Sequence, residues 1–231
     1  MRKLIGLTIV ALLSLSGPVV AGPMEDAVAA WGRKDYATAL RLWRPLADQG
    51  DTLAQAGLGF MYLTSLGVPQ DYAEAVKWYS KAADQGYANA QSSLGLMYFL
   101  GQGVPQDYIE AVKWVRKAAD QGYAAAQAGL GGMYFLGQGV PQDYIEAATW
   151  YRKAADQGYA GVRNSLGLMY DSGRGVPQDY VQAHMWFNLA AANGDKSAVK
   201  NRDQVAAKMT PAQVAEAQKL AREWKPTTAP K

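Results

Sequence analysis

The side chains that could do chemistry are few in this chain, and its single histidine is the first to consider. His184 could act as a general base or as a metal ligand, because a neutral imidazole does either near neutral pH. The chain has no cysteine, so thiol nucleophiles are excluded, and one histidine without cysteines argues against a structural zinc site. At intervals of 36 residues earlier in the chain, the position of His184 holds Ala148, Val112 and Val76. We therefore interpret His184 as an ordinary helix residue.

Ser197 and Lys200 form the second candidate, an S-x-x-K string. Serine enzymes that recognise penicillin carry this string together with S-D-N and K-T-G motifs. Neither partner motif occurs in the chain, and no glycine-rich phosphate loop follows a predicted strand. The sequence therefore predicts no catalytic residue, no metal site and no cofactor.

The first 21 residues have the layout of a secretory signal peptide. Arg2 and Lys3 are positive, residues 4–15 are largely apolar, and residues 19–21 end in a small residue, as a cleavage site requires. The apolar run is too short for a membrane-spanning helix, which needs about 20 residues. We predict cleavage after Ala21 and a mature protein, without a membrane span, in the periplasm or outside the cell.

Charge is unevenly distributed along the chain. Residues 196–231 hold eight Lys or Arg against three Asp or Glu, whereas residues 22–195 carry a net charge of −4. A basic C-terminal end could contact an acidic partner, although a solvated helical face also explains such a charge run. An exported location argues against nucleic acid as the partner.

A repeat of 36 residues organises the centre of the chain. The units, which align without gaps, are residues 52–87, 88–123, 124–159 and 160–195. Residues 35–50 match the second half of a unit, and residues 22–51 are predicted to form an N-terminal capping half-repeat. Residues 196–224 leave the repeat and are predicted to be C-terminal capping helices, because a solenoid must cover its open end. Residues 225–231 are predicted to be a disordered tail.

Each unit is predicted to contain two helices. In the first helix, Ala90, Leu94 and Met97 share one face. Glycine inside a helix costs about 1 kcal/mol relative to alanine, so its recurrence predicts that a partner helix comes close there. The recurrent glycines are Gly59, Gly95, Gly131 and Gly167. In the second helix, Asp107 at the N-cap and Glu110 three residues later predict a capping box.

The pattern G-x-G-V-P-Q-D-Y-x-x-A-x-x-W-x-x-x-A-A-x-x-G in residues 101–122 closely resembles the Sel-one-like (Sel1-like) repeat family, a branch of the tetratricopeptide-repeat superfamily. The resemblance covers about residues 35–195. It implies an all-α fold, a right-handed α-solenoid of 36-residue helix–turn–helix repeats. In that family the first helices line the concave surface, and the resemblance implies partner binding.

The outward side of the first helices is therefore the candidate groove. Its side chains are more apolar than an exposed surface should be. The groove candidates are Phe60, Leu63, Leu96, Phe99, Gly132, Phe135, Leu168 and Asp171. Gly132 is predicted to open a notch beside Phe135, and Asp171 to end the row with a charge. The same side chains could instead pack between neighbouring units, because stacked solenoid helices bury much of their sides.

The sequence thus predicts an exported, monomeric, non-catalytic scaffold or adaptor that binds a protein or peptide partner in this groove. The partner is not identified by the sequence. One alternative is a cell-wall hydrolase or penicillin-binding activity, because a cysteine-rich branch of the resembling family has been linked to penicillin binding. The other is a purely structural secreted protein.

If Ala21 ends a signal peptide, the protein recovered from the periplasm is expected to begin at Gly22. Intact-mass spectrometry measures the difference between this chain and the precursor. Ala21→Trp is the matched variant, because a bulky residue blocks cleavage, and it should accumulate the uncleaved chain. A wild-type protein that retains Met1 and sediments with membranes would contradict the export prediction.

Overall fold

The computed structural model describes residues 22–227, so the predicted signal peptide and residues 228–231 lie outside the described residues. Within this range the chain is helical, without strands. The helices are α1 (Pro23–Gly32), α2 (Tyr36–Asp48), α3 (Thr52–Thr64), α4 (Tyr72–Asp84), α5 (Ala88–Leu100), α6 (Tyr108–Asp120), α7 (Ala124–Leu136), α8 (Tyr144–Asp156), α9 (Arg163–Ser172), α10 (Tyr180–Ala191), α11 (Lys196–Ala206) and α12 (Pro211–Glu223). A short 3-10 turn, Ala160–Val162, precedes α9.

The helices pack in the order of the chain. Within the central units, α3 packs on α4, α5 on α6, α7 on α8 and α9 on α10, and each pair also packs on the pair that follows. At the two ends, α2 packs on α3, and α10 packs on both α11 and α12. This linear stack of helix pairs confirms the predicted all-α repeat solenoid.

An aspartate caps the second helix of each unit, but the predicted capping box does not form there. The Asp107 carboxylate accepts from the backbone N–H of Glu110 at 3.0 Å, as expected for an N-cap. The Asp107 N–H, however, donates to the carbonyl of Tyr98 in the first helix at 3.0 Å. Glu110 therefore has no free N–H to accept from. Thr210 and Gln213, which begin α12, do form the complete box.

The recurrent glycine of each first helix lies against the second helix of the same unit, which confirms the predicted close approach. A Cβ atom at Gly131 would lie 2.7 Å from Cδ1 of Tyr151 and 3.2 Å from the Ala147 carbonyl oxygen. At Gly95 the corresponding distance to Cγ2 of Val115 would be 2.6 Å. Because these distances are below van der Waals contact, the two helices pack this closely only where the first one lacks a side chain.

A buried glutamine joins each of the first three central units to the preceding one. Gln91 in α5 donates from Nε2 to the Ala83 carbonyl at the end of α4 at 3.1 Å, and its Oε1 accepts from Nε2 of Gln121 at 2.7 Å. The same bonds recur one unit earlier and one unit later, in the pairs Gln55–Gln85 and Gln127–Gln157. Since an unpaired buried polar group costs about 1–3 kcal/mol, these bonds fix the register between units.

The C-terminal helices close the last unit with aromatic contacts. Trp224 follows α12 and meets Trp186 of α10 edge to face, with ring centroids 5.8 Å apart. The Arg163 guanidinium lies 4.8 Å from the Trp224 ring centroid. Residues 225–227, which the sequence assigns to a disordered tail, return to the end of α8, where the Thr227 hydroxyl donates to the Asp156 carbonyl at 2.9 Å.

Two glycines two residues apart in α7 give a matched test of the packing. Gly131→Ala should lower the free energy of unfolding, because overpacking of its Cβ against Tyr151 costs about 1–3 kcal/mol and outweighs a helix-propensity gain of up to about 1 kcal/mol. Gly129→Ala should raise it by up to about 1 kcal/mol through helix propensity, since its Cβ would meet only Val115 Cγ1 at 3.6 Å. Urea denaturation measures both variants. Equal effects of the two substitutions would contradict the assigned helix contact.

Candidate functional site

Large apolar side chains are exposed in register along the first helices. Leu96 in α5 is 53% exposed, and the equivalent Phe60 in α3 and Leu168 in α9 are 41% and 46% exposed. Further exposed residues are Val28 of α1 and the C-terminal residues of α5 and α7. We call this surface the first-helix face, and its exposed apolar residues are Val28, Phe60, Leu96, Leu100, Leu136 and Leu168.

From α3 to α9 the first-helix face is also nearly free of charge, whereas α1 carries the exposed Glu25 and Asp26. Helices α3, α5 and α7 contain no Asp, Glu, Lys or Arg. In α9 the charged residues are Arg163, which is buried, and Asp171, which is paired. An ion that docked here without a partner would lose hydration and gain little in return. The chemistry of this surface therefore suits an uncharged, apolar segment.

The predicted groove residues divide into two groups by exposure. The exposed ones are Phe60, Leu96 and Leu168, and the partly buried ones are Leu63, Phe99, Gly132, Phe135 and Asp171. The Phe99 ring lies 5.1 Å from that of Tyr108, and the Phe135 ring lies 5.2 Å from that of Tyr144, centroid to centroid. These two phenylalanines thus pack against the start of the second helix in their own unit, and only part of each ring faces outward.

Asp171 has a structural partner instead of a free charge. Its carboxylate accepts from Nζ of Lys208 at 2.7 Å, which links α9 to the turn between α11 and α12. The hydrogen bond raises the pKa of the Lys208 ammonium. Asp171 therefore contributes to holding the C-terminal helices on the last unit.

A cavity of about 330 Å³ opens in the first-helix face between α5 and α7. Val115 of α6 lies at this cavity together with Gly129 and Gly132 of α7. Its other lining residues include Ser92, Leu96, Phe99, Met133, Leu136, Gln138 and Tyr159. The notch expected at Gly132 is present here, but it lies beside Phe99 and not beside Phe135, which lines a separate depression with Leu168 and Asp171.

The cavity exists because one unit lacks an aromatic ring that its neighbours have. The residues 36 positions before and after Val115 are Tyr79 and Tyr151, which are 2% and 9% exposed. Burial raises the pKa of the Tyr79 hydroxyl to about 12, an effect that an interaction with Ser93 partly offsets. At the position equivalent to Ser93, the cavity has Gly129. This site was not predicted from the sequence, although Val115 stands where the other units have the aromatic residues Tyr79, Tyr151 and Phe187.

The catalytic candidates are not assembled into a reactive site. His184 is 3% exposed, and its Nδ1 has no hydrogen-bond partner among residues 22–227. Ser197 and Lys200 are both exposed near the start of α11. Across the described range, no group of three or more His, Cys, Asp or Glu residues is placed to hold a metal ion.

Comparison with known proteins identifies the repeat. The Sel1 repeat family matches residues 30–51, 52–87, 88–123, 124–159 and 163–195. The chain belongs to the Sel1-repeat family. The family is generally a non-catalytic scaffold fold. No match to a curated protein was found.

Two solved structures resemble this Sel1-repeat protein over most of its length. A Sel1 repeat protein from Oxalobacter formigenes is 33% identical with a TM-score of 0.76, and the match covers 88% of this chain and 83% of that one. A protective antigen of uropathogenic Escherichia coli strains is 37% identical with a TM-score of 0.77. That match covers 87% of this chain but 45% of the antigen, so the chain spans less than half its length.

Among residues 22–227, no helix has the length and apolar character that crossing a membrane requires.

Burial of His184 should make the stability of the protein depend on pH. Burial lowers the pKa of His184, and Arg202 in α11 lowers it further, while Asp203 opposes the shift. Below about pH 6.5 the unfolded chain takes up a proton that the folded protein resists. The free energy of unfolding should therefore fall with decreasing pH, by at most about 1.4 kcal/mol per pH unit from this group.

The matched variant is His184→Val, since valine occupies this position at Val76 and Val112. Urea denaturation at about pH 7.5 and about pH 5.5 should show a smaller loss of stability in the variant, because it lacks the titrating group. Contributions from other titrating groups cancel in the difference between the two proteins. Parallel pH profiles would contradict the assignment.

Proposed function

We propose that this Sel1-repeat protein is an exported, non-catalytic scaffold or adaptor whose first-helix face binds a protein or peptide partner. Sel1-repeat solenoids are typically protein-interaction scaffolds. The observation that carries the proposal is the row of exposed apolar side chains on an uncharged surface. Exposed apolar patches on soluble proteins mark interaction sites, because leaving them in water is unfavourable.

The geometry of the row favours an elongated occupant. Phe60, Leu96 and Leu168 stand at equivalent positions of α3, α5 and α9, so they recur along the stack of units. An extended segment that lies across the first helices would contact one such side chain in three of the four central units, since α7 has Gly132 at this position. Each buried side chain of this size contributes about 1.5–3 kcal/mol of transfer free energy, from which the cost of ordering the segment is subtracted.

A hydrolytic function has less support. The Ser197 backbone N–H donates to Asp195, the N-cap of α11, and the Ser197 side chain is exposed, as is that of Lys200. A nucleophilic serine needs a base within hydrogen-bonding reach and a pocket for the reacting group. Ser197 has no side-chain hydrogen bond among the described residues, so we assign it no catalytic role.

Paired substitutions on the two kinds of helix test the binding surface. Leu96→Ser with Leu168→Ser should weaken partner binding by about tenfold or more, because central apolar contacts commonly dominate binding energy. Helix content should stay unchanged, since both side chains are exposed. The control pair is Ile109→Ser with Ile145→Ser, which changes side chains that are 73% and 68% exposed at the start of second helices.

The measurement begins with a pulldown from cell-envelope extract, followed by the Kd of the purified partner for both double variants. Weakening by the leucine pair alone supports the first-helix face. Weakening by the isoleucine pair alone would place the interaction on the second helices instead. If wild-type protein captures no partner, the purely structural alternative is favoured.

A further inference from the structure

We propose that the cavity beside Val115 is an anchor pocket for one aromatic side chain, with tryptophan preferred, from an uncharged peptide segment that lies on the first-helix face. The proposal rests on the proposed function and names the chemistry of the occupant. It is specific to this chain, because the pocket depends on residues in which one unit differs from its neighbours.

The repeat itself shows what shape the pocket accepts. In the units before and after, the space between successive first helices holds the protein's own tyrosine ring, Tyr79 or Tyr151. Both rings lie against the glycine of the first helix, Gly59 or Gly131, so the slot has the width of an aromatic ring. Val115 leaves the same slot partly empty. A ring that enters from the first-helix face would restore the packing of the neighbouring units.

The size and polarity of the cavity agree with this occupant. It measures about 330 Å³, whereas an apolar cavity of about 150 Å³ is enough to bind benzene. None of the residues that line it carries a formal charge at neutral pH. Two glycines, Gly129 and Gly132, leave its α7 side open: a Cβ at either position would have no neighbour closer than 3.5 Å.

A buried acceptor in the lining favours tryptophan among the aromatic residues. Gln138 lines the cavity, and its side-chain Oε1 is buried without a hydrogen-bond partner among residues 22–227. An unpaired buried acceptor costs free energy that a donor can recover. The indole N–H is a donor on an otherwise apolar ring, whereas a phenylalanine ring has none.

The position and surroundings of the pocket favour a neutral peptide over a charged one. The pocket lies between α5 and α7, in the middle of the stack, and the exposed Leu96 and Leu136 line it. Helices α5 and α7 contain no charged residue. Interface anchors typically sit in such central apolar pockets, surrounded by contacts that exclude water.

Methionine-methyl NMR of the purified mature protein tests the pocket directly. The probes are acetyl-Gly-Ser-Trp-Ser-Gly-amide and the same peptide with Phe or Ala in place of Trp. Met133 lines the pocket, and Met61, Met97 and Met169 hold the equivalent positions in the other units. The tryptophan peptide should shift the Met133 methyl signal saturably through its ring current and leave the other three unchanged. The alanine peptide should shift none of them.

Closing the pocket should remove this response. Val115→Tyr with Gly129→Ser introduces the tyrosine–serine pair that Tyr79 and Ser93 form 36 residues earlier, so the variant should fold. It should bind the tryptophan peptide at least about tenfold more weakly. Gly132→Leu, which introduces the residue found at Leu96 and Leu168, blocks the pocket independently should the first variant fail to fold. Gln138→Met should reduce the preference for the tryptophan peptide over the phenylalanine peptide.

The outcomes separate the pocket from the wider function. An unmoved Met133 signal with both aromatic peptides, or a shift that persists in both closed-pocket variants, overturns the anchor pocket. If a captured partner still depends on Leu96 and Leu168 in that case, the first-helix face stands without the pocket. In a third outcome, both closed-pocket variants lose the Met133 shift, but Leu96→Ser with Leu168→Ser does not weaken partner binding. That outcome supports the pocket and contradicts the proposed function.

Discussion

Close packing between the two helices of each unit is the constraint on which the other features of this protein depend. The glycine of the first helix lets the second helix press a ring or a branched side chain against its backbone, as Tyr151 does at Gly131. That contact sets the distance between the helices and directs the same side chain into the space beside the next unit. The helical stack and the shape of its surface therefore have a common origin.

The connection between units depends on polar bonds in an otherwise apolar interior. Gln91 reaches the end of the preceding helix pair and is itself held by Gln121. These hydrogen bonds can form in only one register between neighbouring units, and a unit shifted along its neighbour would leave buried amide groups unpaired. A stack of this kind has open ends, and here Trp224 and the Asp171–Lys208 pair hold the C-terminal helices over the last unit.

The same packing rule explains how a pocket can arise without any catalytic or charged residue. A ring that presses on the glycine fills the space between units, as Tyr79 does. When Val115 takes its place and Gly129 faces it, the space opens toward the first-helix face. Repeat proteins can thus gain a pocket by loss of packing in one unit, because the neighbouring units continue to hold the helices in position.

The sequence by itself determined the repeat, the helix pairs, the recurrent glycine contacts and the absence of cysteine chemistry, because these features follow from local patterns that recur every 36 residues. Only the tertiary structure decided which groove candidates are accessible. In the tertiary structure Asp171 pairs with Lys208, 37 residues away. The Asp107 N–H donates to a carbonyl of the first helix, so Glu110 cannot complete a capping box. The notch of Gly132 lies beside Phe99, because the empty space is left by the short side chain of Val115 on another helix, α6. Contacts of this kind join side chains from different units, and the pattern within one unit does not contain them.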